Sequence, residues 1–264
     1  MTQTVGRRTP ATRVQSVDRA AVLLEAVAAA RGPAASATAL AEAVGLNRTT
    51  TWRLLNTLAR HRLVTLDRVT GWWSLGFGLL DLASQVGDAP LARAAQVVLE
   101  RLATRSGETA ALAVMRAGAL TYVAEASPAA VVSAGWRGRE VSVHATSTGK
   151  VLLAWSDPAD ARLLLDAPDG LLPRHTDTTI TSVEELSVEL AATRERGWAV
   201  CRGEFEASAW GVSAPVLDAS GRLVAVVSLW GPSTRLTEDR FDDLGPVAVW
   251  GATEIAARRA GGAG

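Results

Sequence analysis

The chain has 264 residues, 48% of them apolar, which is enough for two domains that each bury a core. Its 27 basic and 27 acidic residues cancel, and a single cysteine, Cys201, excludes an intrachain disulfide and any cysteine-cluster metal site. No window approaches the ~18 consecutive apolar residues of a membrane span, and the basic start MTQTVGRRTPATR is followed by no apolar stretch, so a cytoplasmic protein with no membrane association is expected.

The charges are unevenly spread. Up to Leu75 there are ten arginines and four acidic residues, about +6, so the rest carries about −6. A basic head on an acidic body points to a polyanion as the head's partner.

Residues 1–15 are polar and basic and read as a flexible arm. Ser16 is placed to cap a helix over 17–30, with Ala21, Leu24, Val27 and Ala28 at helical spacing, ending before Gly32 and Pro33. Residues 39–58, ALAEAVGLNRTTTWRLLNTL, read as two short helices joined at Gly45, where a backbone free to take positive φ can turn sharply. Asn47 suits the N-cap of the second helix, whose apolar stripe is Leu54, Leu55 and Leu58. Arg48, Thr49, Thr50, Trp52 and Arg53 supply groups that can meet phosphates and base edges, as a recognition helix requires. Strand-like stretches at 63–66 and 72–75 flank the turn Asp67-Arg68-Val69-Thr70-Gly71, forming a wing with Arg68 at its tip. Helix, turn, helix and basic wing in this order predict a winged helix-turn-helix domain over 16–75 that binds double-stranded DNA.

Residues 76–86 and 90–105 read as helices, and the stretch 76–106 is expected to link the head to the body. From 107 to 264 the texture is α+β. Strands at 110–115, 120–124, 131–134, 140–143, 198–202, 212–217 and 223–230 are interleaved with helices at 148–155, 158–165, 183–196 and 238–259. Ser182 and Glu185 form a capping box at the start of the 183–196 helix.

The segments VQSVDRA from Val14, LAEAVGLNRTTTWRLLNTLARHRLV, SVHATSTGKVLLAW at 142–155 and ERGWAVCRGEFEASAWGVSAPVLDASGRLVAVVSLWGPSTRLTEDR at 195–240 resemble the IclR family of bacterial transcriptional regulators, in order and in spacing. The resemblance implies a winged-helix head, a linker helix and a GAF-like effector-binding domain whose mainly antiparallel sheet is flanked by helices. It also implies a homodimer that pairs into a dimer of dimers, and control of an operator by a small-molecule effector, often a carboxylate. Carried over by position, the effector site would comprise Val141, Ser147, Thr148, Cys201, Ala209, Trp210, Gly211, Ser228 and Trp230. Ser147, Thr148 and Gly149 open a helix whose free N–H groups suit an anion. Cys201, Arg202 and Gly203 stand where many members carry an acidic run, Trp210 where arginine is common, and Trp230 where a small residue is frequent, which points to an apolar or aromatic effector.

No catalytic set is expected. His61, His144 and His175 are the only histidines, and no two share a helical turn. His144 reads as a hydrogen-bonded residue fixing a helix start, and Cys201 as a small core residue. STGK fails as a phosphate loop, because His144 stands where the first glycine should be and Val151 follows Lys150. A regulator without cofactor or metal is therefore expected, the alternative being a small-molecule-binding or enzymatic GAF-like module with a vestigial head.

Overall fold

The computed structural model describes residues 14–116, 118–128 and 142–261. The strand expected at 131–134, the N-terminal arm through residue 13 and the expected site residue Val141 lie outside the described residues. The chain divides into two compact units, Met1–Gly87 and Asp88–Gly264.

In the first unit α1 (Gln15–Ala29), α2 (Ala37–Ala43) and α3 (Arg48–Arg60) pack around Leu23, Val27, Leu40, Leu55 and Leu58, with Val64 and Trp73 closing the core. The apolar stripe of α1 is carried by Leu23 and Val27, while Ala21 and Ala28 face solvent, because the larger side chains gain more by burial. Ser16 lies inside α1 and caps nothing; the cap position is Val14, which offers no side-chain acceptor. Asn47 does cap α3, its Oδ1 accepting the Thr50 N–H at 2.8 Å. Gly45 turns the chain at φ +65°, and Ala41, 2% exposed, leaves room for the crossing of α2 and α3. The wing is the antiparallel pair β1 (Val64–Leu66) and β2 (Trp73–Leu75), with α4 (Gly78–Val86) following it.

In the second unit α5 (Ala89–Ser106) leads into β3 (Thr109–Arg116) and β4 (Ala119–Ala126). Next come α6 (Ser147–Trp155), α7 (Pro158–Leu165), α8 (Val183–Arg196), β5 (Ala199–Arg202), β6 (Ala209–Leu217), β7 (Leu223–Pro232) and α9 (Phe241–Gly261). The sheet runs β4-β3-β7-β6-β5, every neighbouring pair antiparallel. Alternation along the strands sends Leu112, Val212, Val227 and Leu229 to the face covered by α5 and α9. Ala111, Ala113, Tyr122 and Val226 go to the other face, against α6. Residues 89–106, expected as part of the linker, thus pack into the second unit's own core through Ala95, Val98, Leu99 and Leu102. No helix among the described residues is long and apolar enough to cross a membrane.

A candidate DNA-binding face and a candidate effector cavity

On α3 the core takes Thr51, Leu55 and Leu58, which leaves Arg48, Thr49, Trp52 and Arg53 exposed and Thr50 half-buried. Thr51 satisfies its own buried hydroxyl by donating to the Asn47 carbonyl at 3.1 Å. Trp52 is 49% exposed and meets Trp73 of the wing edge-on, ring centroids 5.9 Å apart, so recognition helix and wing share a side chain contact. At the wing turn the Asp67 carboxylate accepts the Val69 N–H at 2.8 Å and the Thr70 hydroxyl at 2.8 Å, and the Val69 bond above all holds its pKa below the usual carboxylate range. That turn carries Arg68 outward into solvent.

The second unit holds a half-open cavity on the α6 side of its sheet, about 450 Å³ of empty space when its solvent-filled mouth is included. Two cross-strand rows build it. Cys201, Gly211 and Trp230 stand side by side on β5, β6 and β7, and two residues further along the same face Ser213 stands beside Ser228. Gly211 is required by this packing, since a Cβ there would lie 2.8 Å from the Leu229 carbonyl and 3.1 Å from the Trp230 side chain. The start of α6 closes the floor: Thr146 caps the helix by accepting the Gly149 N–H at 3.0 Å, and Ser147 and Thr148 occupy its first turn. The first-turn N–H groups of Ser147 and Thr148 have no intrahelical acceptor.

The floor is a network of five hydroxyls. Thr148 Oγ1 lies 2.7 Å from Tyr122 Oη, 2.7 Å from Ser228 Oγ and 3.3 Å from Ser213 Oγ. Ser213 Oγ in turn lies 2.8 Å from both Ser147 and Ser228 Oγ. Five contacts use the five available protons, so the network is satisfied within itself. An incoming anion can recruit a donor by rotation of one hydroxyl, and the longest contact, Thr148 to Ser213, is the cheapest to give up. Burial pushes the Tyr122 hydroxyl and the Cys201 thiol upward, so both stay protonated at neutral pH. Thr148→Val removes the hub of the network and strands its neighbours; the expected cost is about 2 kcal/mol, read as a lower urea midpoint at unchanged slope.

Above the floor stand the rings of Tyr122, Phe205 and Trp230, and Glu206 is exposed at the edge. Among the described residues the lining contains no lysine or arginine. Of the expected effector residues Ser147, Thr148, Cys201, Ala209, Trp210, Gly211, Ser228 and Trp230 all border the cavity. Trp210 does so without presenting its ring, which stacks on Phe241 at 5.7 Å on the α9 side. Tyr122, Thr146, Phe205 and Glu206 were not expected there, nor was Ser213 in the hydroxyl network beneath. Ser213 was legible, being two residues beyond Gly211 on one strand and therefore on the same face.

His144 donates from Nε2 to the Pro173 carbonyl at 2.8 Å and accepts at Nδ1 from Ser142 Oγ at 3.2 Å, and burial holds its pKa below the ordinary histidine value. Its ring stacks on His175, which meets Phe205 edge-on. It braces the entry to α6, as its sequence context implies. No group of three or more His, Cys, Asp or Glu residues is placed to hold a metal ion among the described residues.

The chain matches the helix-turn-helix domain of IclR over residues 16–68 and the C-terminal domain of the bacterial transcriptional regulator IclR over residues 83–256. It is 30% identical to the uncharacterised HTH-type transcriptional regulator RhmR of Escherichia coli K12, over 92% of each chain. A crystal structure of an IclR-family regulator from Rhodococcus is similar at a TM-score of 0.70 and 27% identity, covering 96% of this chain and 97% of that one. An IclR homologue from Microbacterium hydrocarbonoxydans, crystallised with 4-hydroxybenzoate, is similar at a TM-score of 0.58 and 25% identity, covering 93% of this chain and 99% of that one.

Proposed function

Because this chain belongs to the IclR family of bacterial transcriptional regulators, we propose that its DNA binding is controlled by a small organic acid, aromatic in character, held in the cavity of the second unit. The observation that carries this reading is the five-hydroxyl floor at the start of α6 under the rings of Tyr122, Phe205 and Trp230. Hydroxyl and amide donors fix a carboxylate, and the rings take a planar apolar body. The homologue that binds 4-hydroxybenzoate supports the same class.

On the DNA side, Arg48, Thr49, Thr50, Trp52 and Arg53 on α3 and Arg68 on the wing are the proposed contacts. We read the protein as a two-fold dimer, for which Phe77, Leu80 and Leu82, exposed on and beside α4, supply apolar surface. A dimer reads half-sites separated by ~34 Å or a multiple. Effector control requires the ligand to bind the DNA-competent and incompetent arrangements with different affinity.

The test is binding to DNA flanking the protein's own gene at two salt concentrations, with benzoate, 4-hydroxybenzoate and short 2-oxo acids added in turn. Steeply salt-dependent binding that an aromatic acid changes is the expected result. Response to 2-oxo acids alone refutes the aromatic assignment, and absence of any DNA complex refutes the operator assignment.

A further inference from the structure

The chain contains 26 arginines and one lysine, and that lysine, Lys150, is 1% exposed. It sits on α6 two and three residues after Thr148 and Ser147, which floor the cavity. Its Nζ reaches Glu204 Oε2 at 2.6 Å and Oε1 at 2.7 Å and donates to the Val200 carbonyl at 3.1 Å. Glu204, 4% exposed, lies between Cys201 on one side and Phe205 and Glu206 on the other, three residues that border the cavity. The same segment is tied on its outer side by threonine hydroxyls: Thr176 donates to the Gly203 carbonyl at 2.8 Å and Thr179 to the Glu204 carbonyl at 2.6 Å. These bonds hold the segment to residues 176–179. Among the described residues the Lys150–Glu204 ion pair ties it to α6, beside the packing of Phe205 in the cluster that includes Leu152. Lysine suits the place where arginine does not, because a compact ammonium with three donors matches one carboxylate and one carbonyl, whereas a planar fork would leave donors buried without acceptors.

We propose that Lys150 and Glu204 form a positioning clasp that sets the distance between the hydroxyl floor of the cavity and its Phe205 wall, so that ligand occupancy and clasp closure stabilise one another. The proposal rests on the reading of this cavity as an effector site. By linkage, a ligand that needs the closed clasp suppresses its opening by the same factor as the open clasp weakens the ligand.

Two measurements on the full-length protein test it, with 4-hydroxybenzoate and benzoate as probes. The first is calorimetric binding to the double variant Lys150→Met with Glu204→Leu. Replacing a buried pair by apolar residues of similar size leaves the fold close to its original stability, so a matching melting temperature separates positioning from folding. The expected result is a melting temperature within a few degrees of the parent with affinity weaker by about tenfold. The second needs no variant: acetic anhydride acylates Lys150 only when the clasp opens, and peptide mass spectrometry reads the rate. The expected rate is unchanged by low urea, which marks local opening, and falls about fivefold at a ligand concentration ten times Kd, approaching tenfold at saturation. Wild-type binding with equal affinity in the folded double variant, or acylation indifferent to bound ligand, overturns the clasp and leaves the effector site standing. Failure of both acids to bind the wild type overturns the clasp together with the aromatic-acid reading.

Discussion

Replacing Arg48 and Arg53 together by alanine is expected to weaken operator binding by about 100-fold or more, with the two single variants each losing about 1–3 kcal/mol wherever the guanidinium reads a base edge. Both side chains project from the solvent face of α3 and are exposed, and among the described residues neither guanidinium makes a hydrogen bond or ion pair. The helix itself stays capped by Asn47 and anchored by Leu55 and Leu58, so its fold should survive the change. Arg31 is the internal control. It carries the same charge in the same unit but folds back onto the Ala28 and Ala30 carbonyls at 2.8 and 2.7 Å, and its removal should leave operator affinity nearly unchanged. Anisotropy titrations at ~50 and ~200 mM salt separate the roles: a phosphate contact lowers the salt slope by about one per residue, whereas a base contact also relaxes sequence preference. Wild-type affinity in both single variants removes Arg48 and Arg53 from the interface.

How far the sequence exposed this architecture differs between the two units. In the head, local chemistry sufficed. An asparagine cap, a glycine at positive φ and an i, i+3, i+4 leucine stripe are short-range signals, and Asn47, Gly45 and Leu55 appear where those signals place them. Ser16 misled because a serine before an apolar run is only permission to cap; the helix begins two residues earlier than expected, at Gln15. In the body, the helices and five of the strands were legible, whereas residues 142 and 143, expected in a strand over 140–143, are not in one, and the cavity depends on register. Cross-strand pairing brings Ser228 beside Ser213 and Trp230 beside Gly211, and no local pattern specifies which strands are neighbours. The ring of Trp210 shows the cost of this: its position suggested a cavity wall, while strand alternation turns it to the opposite face against Phe241. The Lys150–Glu204 pair, 54 residues apart, was invisible for the same reason.

Gly149→Ala is expected to remove ligand response altogether while sparing the DNA-binding head. A Cβ on residue 149 would stand 2.3 Å from both the Cα and the carbonyl oxygen of Val143, and these are backbone atoms that cannot rotate aside. The segment they belong to is held in place on purpose: Thr146 Oγ1 donates to the Ser142 carbonyl at 2.7 Å and accepts the Gly149 N–H, and His144 anchors the same stretch to Pro173. A methyl group therefore has to drive residues 142–146 away from α6, and Ser147 and Thr148 move with them. Overpacking of this kind costs about 3 kcal/mol when the neighbour is rigid. The loss should appear as a lower melting temperature of the second unit and as absence of calorimetric heat with 4-hydroxybenzoate. The first unit keeps its own core of Leu23, Leu40, Leu55 and Trp73, so the variant should still bind operator DNA at low temperature, with an affinity that added ligand no longer shifts. A variant that loses DNA binding in the same step would show that the arrangement of the cavity floor is needed for the DNA-competent state even without ligand. A variant that still responds would place the effector away from the start of α6.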